Sequence, residues 1–177
     1  EEFMLLANET VASRLDGSGV PALYRIHEEP DLVKVAKFEE FISGFGYSLG
    51  TQLTALRPRH FQKLLERIHD KPEERPIAFL MLRTMQKARY APVNVGHFGL
   101  AASSYCHFTS PIRRYPDLVV HRALRAIRHG LWTDETRDAA AGDGAGEHDH
   151  AALERAVDAP VALARHGELA RGDQGIA

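Results

Sequence analysis

The sequence has 177 residues, enough for one ordinary domain and too few for two comfortable ones. Hydrophobic residues make up 44% and charged residues 26%, a globular composition that excludes a disordered or fibrous chain. The single cysteine, Cys106, cannot close an internal disulfide, and the longest wholly apolar run, Ile77–Leu82, is too short to cross a bilayer.

These features set two expectations, a reducing cytoplasmic setting and no membrane. The chain opens on Glu1-Glu2 with neither an initiator Met nor a basic-then-apolar leader, so it is read as lacking a secretory signal and as a piece of something longer.

Phe3, Leu6, Ala7, Val11 and Leu15 recur at helical spacing, which predicts an amphipathic helix over residues 2–15, stopped by the Gly17-Ser18-Gly19 stretch. Leu23–His27 alternates apolar and polar residues and predicts a short strand. Asp31 is a helix cap, opening a helix whose face is Leu32, Val35, Phe38, Ile42 and Phe45. A third helix is expected from Pro58 to His69, with Phe61, Leu64, Leu65 and Ile68 on one side. A fourth begins near Glu73–Pro76 and runs to about Ala88.

Tyr90–Asn94 reads as a loop around Pro92, and His97–Ala101 and Tyr105–Phe108 read as strand pieces. Ser110-Pro111 begins the last helical region. Pro116 cannot donate a backbone hydrogen bond, so a tight turn is expected at 111–115, with a regular helix from Pro116 to Gly130. Residues 132–150 read as a disordered linker rich in Gly, Ala and acids, and 151–177 as a tail with one weak helix. The fold class expected is α+β: several helices packed around a few strands.

The formal net charge of −2 hides an asymmetry. Residues 81–132 carry Arg83, Lys87, Arg89, Arg113, Arg114, Arg122, Arg125 and Arg128 against the single acid Asp117, so that stretch is strongly basic and the remainder acidic. Such a basic stretch focuses an anionic ligand onto one face; the plain alternative is a solvated helix surface. Within it, Ser110-Pro-Ile-Arg-Arg-Tyr-Pro-Asp117 sets two arginines at a helix start, where backbone amides and dipole already favour an anion. Arginine's planar fork holds two phosphate oxygens at once. Adjacent side chains on a helix diverge by about 100°, so one arginine is expected to face a phosphate and the other a structural acid such as Asp117. Surface salt bridges for both are the plain alternative.

Gly96-His-Phe-Gly-Leu-Ala101, Tyr105, His107-Phe-Thr-Ser-Pro-Ile-Arg-Arg-Tyr-Pro-Asp-Leu118 and His121-Arg122 closely resemble the signature of the ribonuclease R family, within the ribonuclease II superfamily and its catalytic RNB domain. Glu1–Asn8, Leu23–His27 and Met81–Tyr90 resemble it in the same order, so the resemblance covers about residues 1–131. It implies a 3′-to-5′ exoribonuclease that hydrolyses single-stranded RNA to nucleoside 5′-monophosphates, monomeric in its full-length form, with no nucleotide cofactor. It implies an Mg²⁺-dependent site whose aspartate ligands lie upstream of the Glu-Glu block, and no comparable aspartate group stands in this sequence.

Residue by residue, the resemblance puts Arg113 at the phosphate being cleaved, expected to be held rigid and partly dehydrated, and Glu2, with Glu1 as the alternative, beside the 3′-terminal nucleotide. Arg114, Tyr105, His97, Ser110 and Tyr24 fall in matching blocks with supporting or RNA-lining roles. The 97–125 segment is expected to line an RNA channel.

Other readings stay open. His97 and His107 hydrogen-bond RNA or core carbonyls; His121 and His129 are too far apart for one metal; His148 and His150 are a flexible pair; and Cys106 is a buried structural thiol. A non-catalytic RNA-binding remnant and a basic module for an acidic protein partner compete with the exoribonuclease. The piece alone is expected to hydrolyse little RNA without its metal ligands.

Overall fold

The computed structural model describes residues 1–19 and 22–130, and the linker and tail expected at 132–177 lie outside them. The described chain forms two compact units. The first contains residues 1–26, 90–94 and those from Ser104 onward; the second contains 27–89 and 95–103. The second unit is inserted into the chain of the first.

In the first unit, α1 spans Glu2–Asp16 and α5, numbered in chain order, spans Tyr115–Arg128. A two-stranded sheet pairs β1, Tyr24–Ile26, with β2, Arg89–Ala91, whose Tyr90 and Ala91 belong to this unit. Ala12, Leu15, Tyr24, Ile26, Ala91, Cys106, Val119, Val120 and Ala123 share one buried core. Removing such side chains from water is the main term holding the unit together.

The buried stripe of α1 is not the one its most apolar residues mark. Asn8, Ala12 and Leu15 are inside, whereas Phe3 is 88% and Leu6 61% exposed. The residue predicted as loop at Tyr90 is a strand residue, because Tyr suits a half-buried pleat, and Pro92 then withholds the next ladder donor.

The second unit holds α2 at Leu32–Ser43, α3 at Pro58–Ile68 and α4 at Glu74–Thr84. Asp31 caps α2 as predicted, its Oδ1 accepting from Val33 N at 2.8 Å and Lys34 N at 3.1 Å. Val35, Phe38, Ile42, Phe61, Leu64, Ile68, Ile77 and Met81 form its core.

Two helices end earlier than their apolar period suggests. Ser43 Oγ donates back to Glu40 O at 2.6 Å, and Thr84 Oγ1 to Leu80 O at 2.9 Å. Such back-bonding satisfies the last carbonyls locally and lets the backbone leave the helix. The strand expected at His97–Ala101 is instead a 3₁₀ turn over Phe98–Leu100, closed by Ala101 in the left-handed region at φ 55°. Tyr105–Phe108 makes a single bridge, Tyr24 to Cys106, rather than a strand. Among the described residues no helix is long and apolar enough to cross a membrane.

Candidate nucleic-acid interface

The turn before α5 is set by its own backbone. Ser110 O accepts from Arg113 N at 3.3 Å and from Arg114 N at 3.1 Å, and α5 begins at Tyr115 with Pro116 in its first turn. Asp117, on that same first turn, is fully buried. Its Oδ1 accepts from Ser110 N at 2.7 Å and from Arg114 Nη2 at 2.7 Å. One carboxylate oxygen therefore ties both ends of the turn and favours the helix N-terminus electrostatically.

Asp117 Oδ2 and Arg114 Nε are buried without a hydrogen-bond partner among the described residues. The pair thus holds through one charge-assisted bond rather than a bidentate fork.

The two adjacent arginines separate as their angular offset predicts. Arg114 turns inward to Asp117, its side chain 23% exposed. Arg113 is exposed, and its Nη2 makes a long 3.4 Å hydrogen bond to Ser110 Oγ. The expectation of a rigid, partly dehydrated Arg113 is corrected on this point. The turn fixes its backbone, while its guanidinium reaches solvent because the inward position is taken by Arg114.

Tyr24 and Tyr105 are corrected more fully. They are 4% and 6% exposed, so both are core side chains and present no open ring face to a base. The Tyr24 hydroxyl is pushed above its ordinary pKa by burial and by the Asp16 carboxylate beside it. Glu2 is exposed in the first turn of α1.

Glu2, Tyr24, Tyr105, Ser110, Arg113 and Arg114 all belong to the first unit, whereas His97 belongs to the second. There, His97 Nδ1 accepts from Leu100 N at 3.2 Å and its ring meets His27 edge-on, with centroids 5.1 Å apart. His27 is engaged at both nitrogens. Nδ1 accepts from Gly99 N at 2.8 Å, and Nε2 donates to Gln86 O at 2.8 Å. These two histidines with Arg57 and Arg59 border a cavity of about 570 Å³.

Sequence reasoning missed Asn8 as an organiser. Its Nδ2 donates to Tyr105 Oη and its Oδ1 accepts from Phe108 N, each at 3.0 Å, and its backbone oxygen accepts from Cys106 Sγ at 3.4 Å. This buried amide fastens α1 to the segment leading into Ser110. The available signal was an amide in line with Ala12 and Leu15, four and seven residues on, the spacing of one helix face.

His107 shares a 2.7 Å hydrogen bond between Nδ1 and Tyr90 Oη, and burial, with Arg114 nearby, lowers its pKa. The Cys106 thiol is fully buried and pushed up to about 12, chiefly by burial.

Magnesium takes oxygen ligands in near-octahedral geometry. The grouping of metal-capable side chains among the described residues is His69, Asp70 and Glu74 in the second unit, the first two exposed and Glu74 half-buried, and it includes an imidazole. Asp117, the buried carboxylate at the Arg113 turn, is committed to Arg114 and Ser110. The described residues therefore do not fit a magnesium site at this turn.

Comparison with known proteins places these features in a family. Residues 1–130 match the family model of the RNB domain. Ribonuclease R of Aquifex aeolicus is 48% identical over 148 residues, covering 84% of this chain and 21% of that protein. The solved structure of Mycoplasma genitalium RNase R in complex with ribose methylated single-stranded RNA superposes with a TM-score of 0.72 at 28% identity, covering 94% of this chain and 26% of that one. Yeast Ssd1, described as a pseudonuclease, superposes with a TM-score of 0.66 at 31% identity, covering 90% of this chain and 18% of that one. The chain spans about a fifth of the length of the curated relatives it matches. With the sequence relatives and the solved folds agreeing over the stretch that holds the Ser110–Asp117 turn, this chain belongs to the RNB domain family.

Proposed function

We propose that the chain serves a 3′-to-5′ exoribonuclease that hydrolyses single-stranded RNA to nucleoside 5′-monophosphates, and that Arg113 contacts the phosphate undergoing cleavage. The observation that carries this reading is the division of labour at the turn. The 2.7 Å bond from Arg114 to buried Asp117 anchors the backbone from which Arg113 projects, outward and charged. A guanidinium brought onto the phosphoryl oxygens from this fixed backbone neutralises charge as it develops there. Its fork also matches two of those oxygens.

Glu2 is assigned to the 3′-terminal nucleotide, and Ser110, Arg114 and His97 to supporting roles. The residues described here supply the phosphate-contacting share of the site and not the magnesium ligands that hydrolysis in this family requires. The single buried thiol supports a reducing compartment, so the activity is assigned to the cytoplasm, with a monomer as the working form.

The likeness to the yeast pseudonuclease favours a second reading, a module that holds RNA without cutting it. One experiment separates the two. A 5′-labelled single-stranded oligoribonucleotide is incubated with the intact parent protein to which this stretch belongs, in the presence and absence of magnesium. Stepwise shortening with release of 5′-mononucleotides supports the exoribonuclease. Retention of the strand at full length, with binding still measurable, supports the holding module.

A further inference from the structure

Two cavities of the second unit, about 570 Å³ and about 680 Å³, meet at the Phe98–Leu100 turn. His27, Pro58, His97, Phe98 and Ala101 line both, so the turn and the two imidazoles form the partition between them. Side chains hold this partition as much as backbone does. Gly99 N donates to His27 Nδ1 at 2.8 Å, and Leu100 N donates to His97 Nδ1 at 3.2 Å.

The partners of His27 leave its ring one protonation state. An amide N–H only donates, so Nδ1 keeps its lone pair; a carbonyl only accepts, so Nε2, 2.8 Å from Gln86 O, carries the proton. An imidazolium has N–H on both nitrogens. Its bond to Gln86 O strengthens with the charge, while the new Nδ1–H points at the Gly99 N–H across 2.8 Å. The ring cannot easily turn away. Phe98 meets it edge-on with centroids 6.3 Å apart, and His27 N to Gly96 O at 3.1 Å and Phe98 N to His27 O at 2.8 Å fix its backbone. Gly99, exposed and without a side chain, is the part that yields.

We propose that His27 is a proton-operated latch on this partition: the neutral ring clasps Gly99 and keeps the two cavities apart, and the protonated ring lets the turn lift and joins them. Histidine is the side chain whose charge ordinarily changes between about pH 5 and 8. The charges facing the ring are mixed. Glu29, Arg57 and Arg59 line the smaller cavity with it, the His97 ring stands 5.1 Å away, and neighbouring Glu28 is taken by Arg89 at 2.7 Å. From α4 and the residues after it, the larger cavity receives the uncharged Met81, Leu82, Met85 and Gln86. The latch does not depend on the RNA reading.

The test is hydrogen–deuterium exchange in the intact parent protein to which this stretch belongs, from about pH 8 to about pH 5. Exchange is read at single amides by mass spectrometry and corrected for its intrinsic pH dependence. Slow deuterium uptake at the His27 ring carbon Cε1, followed in the same samples, reports when the ring takes up its proton. The Gly99 amide is expected to lose about tenfold in protection, the worth of one hydrogen bond, with the midpoint of the ring titration. The Phe98 amide, bonded to a His27 carbonyl that does not titrate, is expected to keep its protection. His27→Asn offers Gly99 an oxygen that takes up no proton, and is expected to make Gly99 protection independent of pH.

Gly99 protection that stays level through the ring titration would overturn the latch, and so would a ring that stays neutral across the whole range. Loss of Gly99 and Phe98 protection together would overturn it in favour of unfolding of the unit. A Gly99 amide that still responds to pH in a folded His27→Asn would move the effect to another group and overturn His27 as its seat. Should that variant not fold, the Gly99, Phe98 and ring measurements on the parent decide by themselves. Under every one of these outcomes the RNA reading stands.

Discussion

Arg114 Nη2 donates to Asp117 Oδ1 at 2.7 Å, and the same oxygen accepts from Ser110 N at 2.7 Å, so a single buried atom fixes the turn that presents Arg113. Replacing Asp117 by Asn keeps the shape and removes the charge that balances Arg114. Leaving one member of a largely buried ion pair without its partner costs about 3 kcal/mol or more. Urea unfolding should show a loss of that size for Asp117→Asn, and a smaller one for Arg114→Met/Asp117→Leu, which removes both charges.

Arg113 should behave in the opposite way. Its side chain is exposed and bonds only weakly to Ser110, so Arg113→Ala should shift stability by no more than about 0.5 kcal/mol. In an RNA-hydrolysing form of the protein it should lower turnover by roughly 10²–10³, the usual effect of losing one donor to developing charge. Steady-state kinetics beside thermal unfolding would show both halves of this contrast.

Gly99 is confined by its neighbour. A Cβ built there would lie 2.7 Å from His27 Nδ1, the atom that accepts the Gly99 N–H. Gly99→Ala should therefore destabilise the second unit by about 1–3 kcal/mol through overpacking. In a double-mutant cycle with His27→Ala, much of that cost should vanish, because the two changes share one contact.

The pH dependence of the first unit should carry the mark of His107. Its folded-state pKa lies below the ordinary 6.5, chiefly through burial, so on acidification the unfolded chain takes up the proton first. The contribution is complete above about pH 6.5 and is lost as pH falls from there toward the folded value. Urea midpoints of the parent should drop across that window more than those of His107→Asn.

Cys106 should be inert in the native protein. With the thiol pushed up to about 12 and fully buried, little thiolate exists at pH 8. A disulfide reagent should therefore react slowly until urea unfolds the chain, and then at the rate of an ordinary cysteine.

Much of this was legible from residues alone wherever the determinants are local. The Asp31 cap, the Phe61–Leu64–Ile68 face and the turn enforced by Pro116 each depend on neighbours within about four positions. The divergence of the two arginines followed from the same local geometry, while that geometry left open which of them turns inward.

What escaped the sequence depends on distant partners. Phe3 and Leu6 are the more apolar side of α1, yet Asn8 is buried because Tyr105 and Phe108 satisfy its amide from far along the chain. His97–Ala101 has strand-like composition, but ring nitrogens of His27 and His97 capture the amides of Gly99 and Leu100 and bend the backbone into a 3₁₀ turn. Tyr24 and Tyr105 sit in the motif blocks for their packing, which a motif alone does not distinguish from contact with a ligand.

Asn8 also bears on the order in which the polypeptide assembles. Its amide and the Tyr105 hydroxyl are 97 positions apart. At typical elongation rates of about 5–20 residues per second, the ribosome delivers the second partner on the order of ten seconds after the first. Through that interval α1 has neither its polar tether nor α5, whereas the last residue of the inserted unit, Ser103, is made before Tyr105. Translation thus makes the first unit, which begins earliest, the last to close.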